Sequence, residues 1–302
     1  MKVIVPITVD NTALISSNIT EDDHAEWLVG TTYADGDRVI VTGTTHKIYE
    51  SVAGSNTGND PTTDSGAWWA EISATNRWKA FDGKIADQST RDTSIIYSIR
   101  TPSNVTGVGF FGLVGKSLRV QVFDTGDTQI YDRTVDLIDG TDVVDWLTFF
   151  TEPLVYDSEA LLDDLPAYAG YRVDITIFVE SGNTAGVGEI VLGRVVDLGT
   201  TLDGTGIGFE DFSTKDRDVF GNAIIIERAF SDTVDFQFSS PTSRARQIKR
   251  QMTNLRATPA VWYPGTDMTE FGATVFGYVA DFNAPLSAGG LTFYSLKIEG
   301  LT

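Results

Sequence analysis

The chain has 302 residues, with 22 Lys and Arg against 42 Asp and Glu, a formal net charge of -20, and no cysteine. Such a polyanion repels free nucleic acid and anionic membrane surfaces, and the missing thiols exclude disulfides, thiolate metal sites and a cysteine nucleophile. Hydrophobic residues at 41% and charged residues at 21% give an ordinary globular balance, long enough for two or three domains.

Val3-Ile4-Val5 reads as a strand. Pro6 breaks the apolar run too soon for a signal peptide, and no stretch approaches the ~18 apolar residues of a membrane helix. For work outside a cell, release by lysis is the expected route. Residues 1–26 are read as this strand and a lead segment.

Residues 27–75 read as a small three-stranded aromatic module. Tyr33-Ala34-Asp35-Gly36-Asp37 is turn chemistry, with Gly36 free to take positive φ. Arg38-Val39-Ile40-Val41 is a β-branched strand, Thr42-Gly43-Thr44 turns it, and residues 46–49 answer as the second strand of a hairpin. A polar loop over 53–66 follows, closed by Ala67-Trp68-Trp69. So few aliphatic residues leave the core to the aromatics. Two readings stand: the rings are simply interior, or at least one is a flat platform on which a pyranose stacks, with Asp and Asn taking its hydroxyls. The residues assigned to such a glycan surface are Tyr33, Trp68 and Trp69, with Asp37 and Asn59 as hydroxyl partners.

Residues 76–197 open with Asn76-Arg77-Trp78-Lys79-Ala80-Phe81-Asp82-Gly83 and continue in short strands: 94–99, a Gly-punctuated stretch at 105–113, 117–123, 148–151, 172–179 and 187–196. Turn signals every ~8–12 residues predict a β-sandwich. The acidic stretch 157–164 reads as a solvated loop or one helical turn.

Residues 198–302 read as a second β-sandwich carrying a single helix. Gly204, Gly206 and Gly208 suit a strand edge and not a dinucleotide fingerprint, since no helix pattern follows. Strands are expected at 224–228, 233–238, 260–263, 274–279 and 291–298. The helix, 244–256, is capped by Thr242 or Ser243 and ended by Thr258-Pro259, with Ala245, Ile248, Met252 and Leu255 on one face. It carries Arg244, Arg246, Lys249, Arg250 and Arg256 and no acid. Either this face is solvated, or it docks on an acidic neighbour as an assembly interface.

Three resemblances follow from these motifs. Trp27, Tyr33, Gly36-Asp37, Val39, Tyr49, Pro61 and Trp68-Trp69 resemble the chitin- and cellulose-binding modules of carbohydrate-binding families five and twelve, over about a sixth of the chain. The pattern departs at Glu50-Ser51-Val52, where those modules place a tryptophan-bearing segment. The Asn-x-Trp-x-x-Phe-Asp-Gly opening of the second region resembles galactose-binding-like jelly rolls. Beyond Gly186, the motifs Gly188-Glu189-Ile190-Val191-Leu192-Gly193, Phe209-Glu210-Asp211-Phe212-Ser213, Asp218-Val219-Phe220-Gly221, Glu227-Arg228, Arg256-Ala257-Thr258-Pro259-Ala260-Val261-Trp262 and Leu296-Lys297-Ile298-Glu299-Gly300-Leu301 look like bacteriophage minor tail or baseplate proteins. This implies a virion structural component at a tail tip, made in the host cytoplasm. Other tail proteins, copies of itself and host surface polysaccharide are its implied partners.

No cofactor is expected. His24 and His46 lack ligand-spaced partners, so no metal site is expected either. There is no Gly-x-Ser-x-Gly elbow or Walker loop. A non-enzymatic chain is the expectation. The rivals are a carboxylate-dependent glycan depolymerase, with acids such as Asp211, Asp216 and Asp218 as candidates, and a purely structural tail protein.

Overall fold

A computed structural model of the chain describes every residue except 44, 140–149, 151–154, 218, 266–271, 286–288 and 302. The fold is mainly β, with one α-helix described in full, Ala245–Leu255. Its spine is a ten-stranded sheet. From one edge the order is Glu159–Leu162, Gly107–Phe111, Glu189–Asp197, Lys2–Pro6, Ala260–Tyr263, Val275–Asn283, Leu291–Gly300 and Phe230–Pro241. Thr200–Thr201 and Gly206–Asp211 share the far edge of this last strand.

The N-terminal strand is central to this sheet and does not lead into the aromatic module as the sequence suggested. Val3 opposes Val196 on one side and Trp262 on the other, and Ile4 opposes Val195 and Val261. Both side chains are fully buried. The boundary drawn at 197/198 therefore runs through one continuous sheet. Ala260-Val261-Trp262-Tyr263 is buried at all four positions, as a strand covered on both faces requires.

The two halves of one face are covered differently. A five-stranded sheet, Gln129–Asp136, Ser117–Phe123, Arg172–Phe178, Ser94–Arg100 and Leu14–Ser17, covers the first half. Its inward Leu118, Val120, Ile175 and Tyr97 meet Phe110, Ile190 and Leu192. Ser117–Phe123 alternates half-buried and buried positions along its length, the period-2 pattern of a strand with one wet face. The helix covers the second half through Ile248, Met252 and Leu255, packed with Val3, Phe236, Trp262 and Leu296. The opposite face holds Ile4, Val191, Val261 and Phe276 under Ile85 and Leu301. Gly188 permits that cover, because a Cβ there would lie 2.1 Å from the Ile85 carbonyl oxygen.

Three local expectations are corrected. Residues Glu159–Leu162 form the edge strand and not a loop or helical turn, because Leu162 is pulled into the core opposite Val108. The helix is entered through a 3-10 turn, Thr242–Arg244, without a side-chain cap; the Thr242 hydroxyl donates to the Gly289 carbonyl instead. The strand expected at 148–151 lies, Phe150 apart, outside the described residues, as does Asp218.

The module folds as expected, with strands Arg38–Val41, Lys47–Ser51 and Trp69–Ala74 in that spatial order. Thr32–Tyr33 pairs with Asn56–Thr57 beside them. Gly36 takes φ +85°. Among the described residues, no helix is long and apolar enough to cross a membrane.

Candidate functional site

The structure disperses the predicted glycan platform. Tyr33 and Trp69 are interior, packed edge to face at 5.1 Å with Val39 and Tyr49 around them. The Tyr33 hydroxyl accepts the Leu28 N–H (2.8 Å), and the Trp69 indole N–H donates to the Asn59 carbonyl (2.9 Å). Asn59 donates its side-chain amide to Asn56, and Asp37 accepts the Ala34 N–H within the turn. Four of the five residues therefore hold the module together, and of the three rings only Trp68 keeps partial exposure. The cause is size: with this few aliphatic residues, the rings are the core. The Trp68-Trp69 corner is set by the Asp64 carboxylate, which accepts both backbone N–H groups, and the Trp68 N–H first holds its pKa below the usual range. Trp69→Ala is accordingly expected to destabilise the module by about 3–5 kcal/mol. Faster proteolysis within residues 27–74 would report it; unchanged resistance would show that the ring is not structural.

A different constellation forms where the module meets the sandwich. A cleft of about 450 Å³ is built from three segments: residues 9–12 after the N-terminal strand, residues 45–47 on the module hairpin with Glu71 and Ala74 beside them, and residues 78–84 around the 3-10 turn Lys79–Phe81. His46 and Trp78 stack at 4.5 Å with 28° between their planes, Trp78 meets Phe81 edge to face, and Phe81 meets the fully buried Tyr97. This aromatic ladder runs from the cleft wall into the sandwich core.

His46 is fixed from behind. Its Nδ1 lies 2.8 Å from Glu21 Oε1, the Thr75 hydroxyl donates to the same oxygen (2.8 Å), and Arg77 reaches the other at 3.3 Å. Its backbone stands at φ +52°, an uncommon conformation for a residue with a side chain. Nδ1 faces the Glu21 carboxylate, and Nε2 is the second ring nitrogen. That atom has no partner, although it is buried, and the same is true of Trp78 Nε1 and Asp82 Oδ2. All three belong to residues lining the cleft. Buried polar atoms are normally satisfied, so three orphans on residues of one cavity single it out as the candidate site.

Burial raises the Asp82 carboxyl above the usual carboxylate range. Behind it, Glu189 is buried and accepts the Gly83 N–H at 2.8 Å; burial first, then neighbouring Asp82, pushes it up to about 9. Lys47 is paired with Glu71 at 2.7 Å on the rim. The wall thus carries aromatic faces, an indole N–H on Trp78, an imidazole nitrogen on His46 and a carboxyl on Asp82. Among the described residues no group of three His, Cys, Asp or Glu is placed to hold a metal ion.

The chemistry-bearing residues here were visible in part. Trp78, Phe81 and Asp82 belong to the segment that resembled galactose-binding-like jelly rolls, but nothing local tied them to His46, which lies 32 positions earlier. Among the assembly cations, Arg246, Lys249, Arg250 and Arg256 are exposed, whereas Arg244 is half-buried and donates to the Asp197 carbonyl.

No protein-family model matches the chain, and neither a curated protein nor a solved structure matches it.

Proposed function

We propose that the chain is a non-enzymatic structural component of a bacteriophage tail tip or baseplate that contacts saccharide on the host surface at the cleft between the module and the sandwich. The tail assignment rests on the sequence motifs beyond Gly186. The saccharide assignment is supported by one observation above the rest: a cleft walled by Trp78 and Phe81 in which an indole N–H, an imidazole nitrogen and a carboxyl oxygen are buried without partners. A sugar ring presents an apolar face to such rings and alternating donors and acceptors to such atoms, and a cleft of this size takes a small saccharide. Weak single sites, repeated in a virion, gain avidity from effective concentration.

The test is retention of the full chain on insoluble polysaccharides and bacterial envelope fractions, beside Trp78→Ala and Trp68→Ala with folding checked by circular dichroism. The expected result is at least a tenfold loss for Trp78→Ala, the size of one lost aromatic stack, with Trp68→Ala near wild type. The reverse order would move the site to the outer face of the module. Retention by neither wild type nor variants would leave the purely structural reading. Reducing ends released from the polysaccharide would establish the depolymerase instead.

A further inference from the structure

Between Gly206 and Phe230 the chain leaves the body as a two-stranded arm. Gly206–Asp211 pairs with the start of Phe230–Pro241, and beyond it Thr214–Arg217 pairs with Ala223–Ile226. Ile224, Ile225 and Ile226 are consecutive and exposed, so successive side chains place apolar groups on both faces of the ribbon. Val219 and Phe220 at the tip are 93% and 87% exposed. An isolated ribbon is marginal in water, and an apolar patch of this extent marks a surface that another body covers.

A complementary surface lies on the same chain. Beside the helix runs a groove of about 770 Å³ with Met252, Val279, Phe282 and Tyr294 among its lining residues. Arg246, Lys249 and Arg256 line it as well. The Tyr294 hydroxyl is buried without a partner. The groove and the arm cannot meet within one molecule by simple extension. The arm continues beyond the Phe230 end of Phe230–Pro241, whereas the groove lies back along the strand, with Val279 at the level of Val234 and Tyr294 at that of Phe238, toward the helix that follows the Pro241 end.

We infer that the occupant of the groove is the arm of a second copy of this chain. Charge supports that choice. The helix segment is wholly basic in a protein of net charge -20, so another copy is an acidic partner. On the arm, Lys215 is paired with Asp211 at 2.6 Å, and the acids Glu210, Asp211, Asp216 and Glu227 outnumber the cations Lys215, Arg217 and Arg228. Two different surfaces pair in this contact, so it is heterologous: it propagates head to tail and closes into a ring or extends into a filament. The inference takes up the assembly part of the proposed function. It is tested on the purified chain alone, so its failure leaves saccharide retention, a separate measurement, unaffected.

The experiment is sedimentation of the full chain over a concentration series, beside an arm variant, Val219→Asp/Phe220→Asp, and a groove variant, Arg246→Glu/Lys249→Glu, both at exposed positions. Wild type is expected to self-associate, less so at high salt, and each variant alone to weaken this at least tenfold. Mixed one to one, the variants should form a heterodimer and nothing larger, because one intact arm meets one intact groove. A second readout uses the absence of native cysteine: Val219→Cys with Thr253→Cys should cross-link between copies under oxidation. Wild type that stays monomeric at its solubility limit overturns the inference. So does self-association that survives both variants, or a mixture that does not recombine.

Discussion

Replacing Glu189 by glutamine should stabilise the protein by about 3 kcal/mol at pH 7, from the distance between neutrality and the ordinary carboxyl value at 1.36 kcal/mol per pH unit. The folded state holds the Glu189 proton up to about pH 9, mainly because burial penalises the carboxylate, whereas an unburied glutamate releases it near 4.5. Folding therefore takes up a proton between these values. The contribution of this group to stability is complete below about pH 4.5, falls steadily as pH rises, and levels off above about 9. Glutamine keeps an oxygen for the Gly83 N–H but has no proton to lose. Urea unfolding at pH 5, 7 and 9 is the measurement. Wild type should lose stability across the series, and Glu189→Gln should show a shallower fall with the largest gain at pH 9. Parallel profiles would mean that Glu189 ionises in the folded protein without penalty.

The second large effect is expected at Ile4. Its side chain is fully buried between Val195 and Val261 in the strand that joins the two halves of the long sheet. Ile4→Ala should cost about 2–5 kcal/mol, the range for removing a buried aliphatic side chain. Ile4→Asp should abolish the cooperative transition, because a carboxylate there has no partner and no water. The informative readout is hydrogen exchange at Val191 and Val261, on either side of the strand. In Ile4→Ala both amides should lose protection together. Loss on one side alone would show that the halves are separate folding units which merely touch.

Local pattern carried the fold further than the site. Ser117–Phe123, Arg38–Val41 and Ala260–Tyr263 were legible to the residue, because strict alternation or an unbroken β-branched and aromatic run has few other conformations available. Glu159–Leu162 was hidden by its acidic neighbours, and its strand state follows from pairing with Gly107–Phe111. The role of Val3-Ile4-Val5 was equally invisible, since a strand's partners are not written in its own periodicity. For the site, the sequence offered rings but not their exposure. Tyr33 and Trp69 carry the carbohydrate-module pattern and are spent on the module's interior, while Trp78 and His46 meet only when three distant segments close around one cleft. The basic helix was readable as a charged face. The arm was not, because Ala223–Ile226 looks like any core strand until its lack of cover is seen.

The place of Lys2–Pro6 in the middle of the long sheet also sets an order of events during synthesis. This strand is made about 190 residues before its first partner, Glu189–Asp197, and still earlier relative to Ala260–Tyr263. At ribosomal speeds it waits on the order of 10–40 s with both edges open. The aromatic module, whose strands pair within 27–74, is complete long before then. The nascent chain thus carries a finished small domain behind an unpaired apolar segment, and closure of the sheet depends on contacts of very long sequence separation, the slow class of folding event.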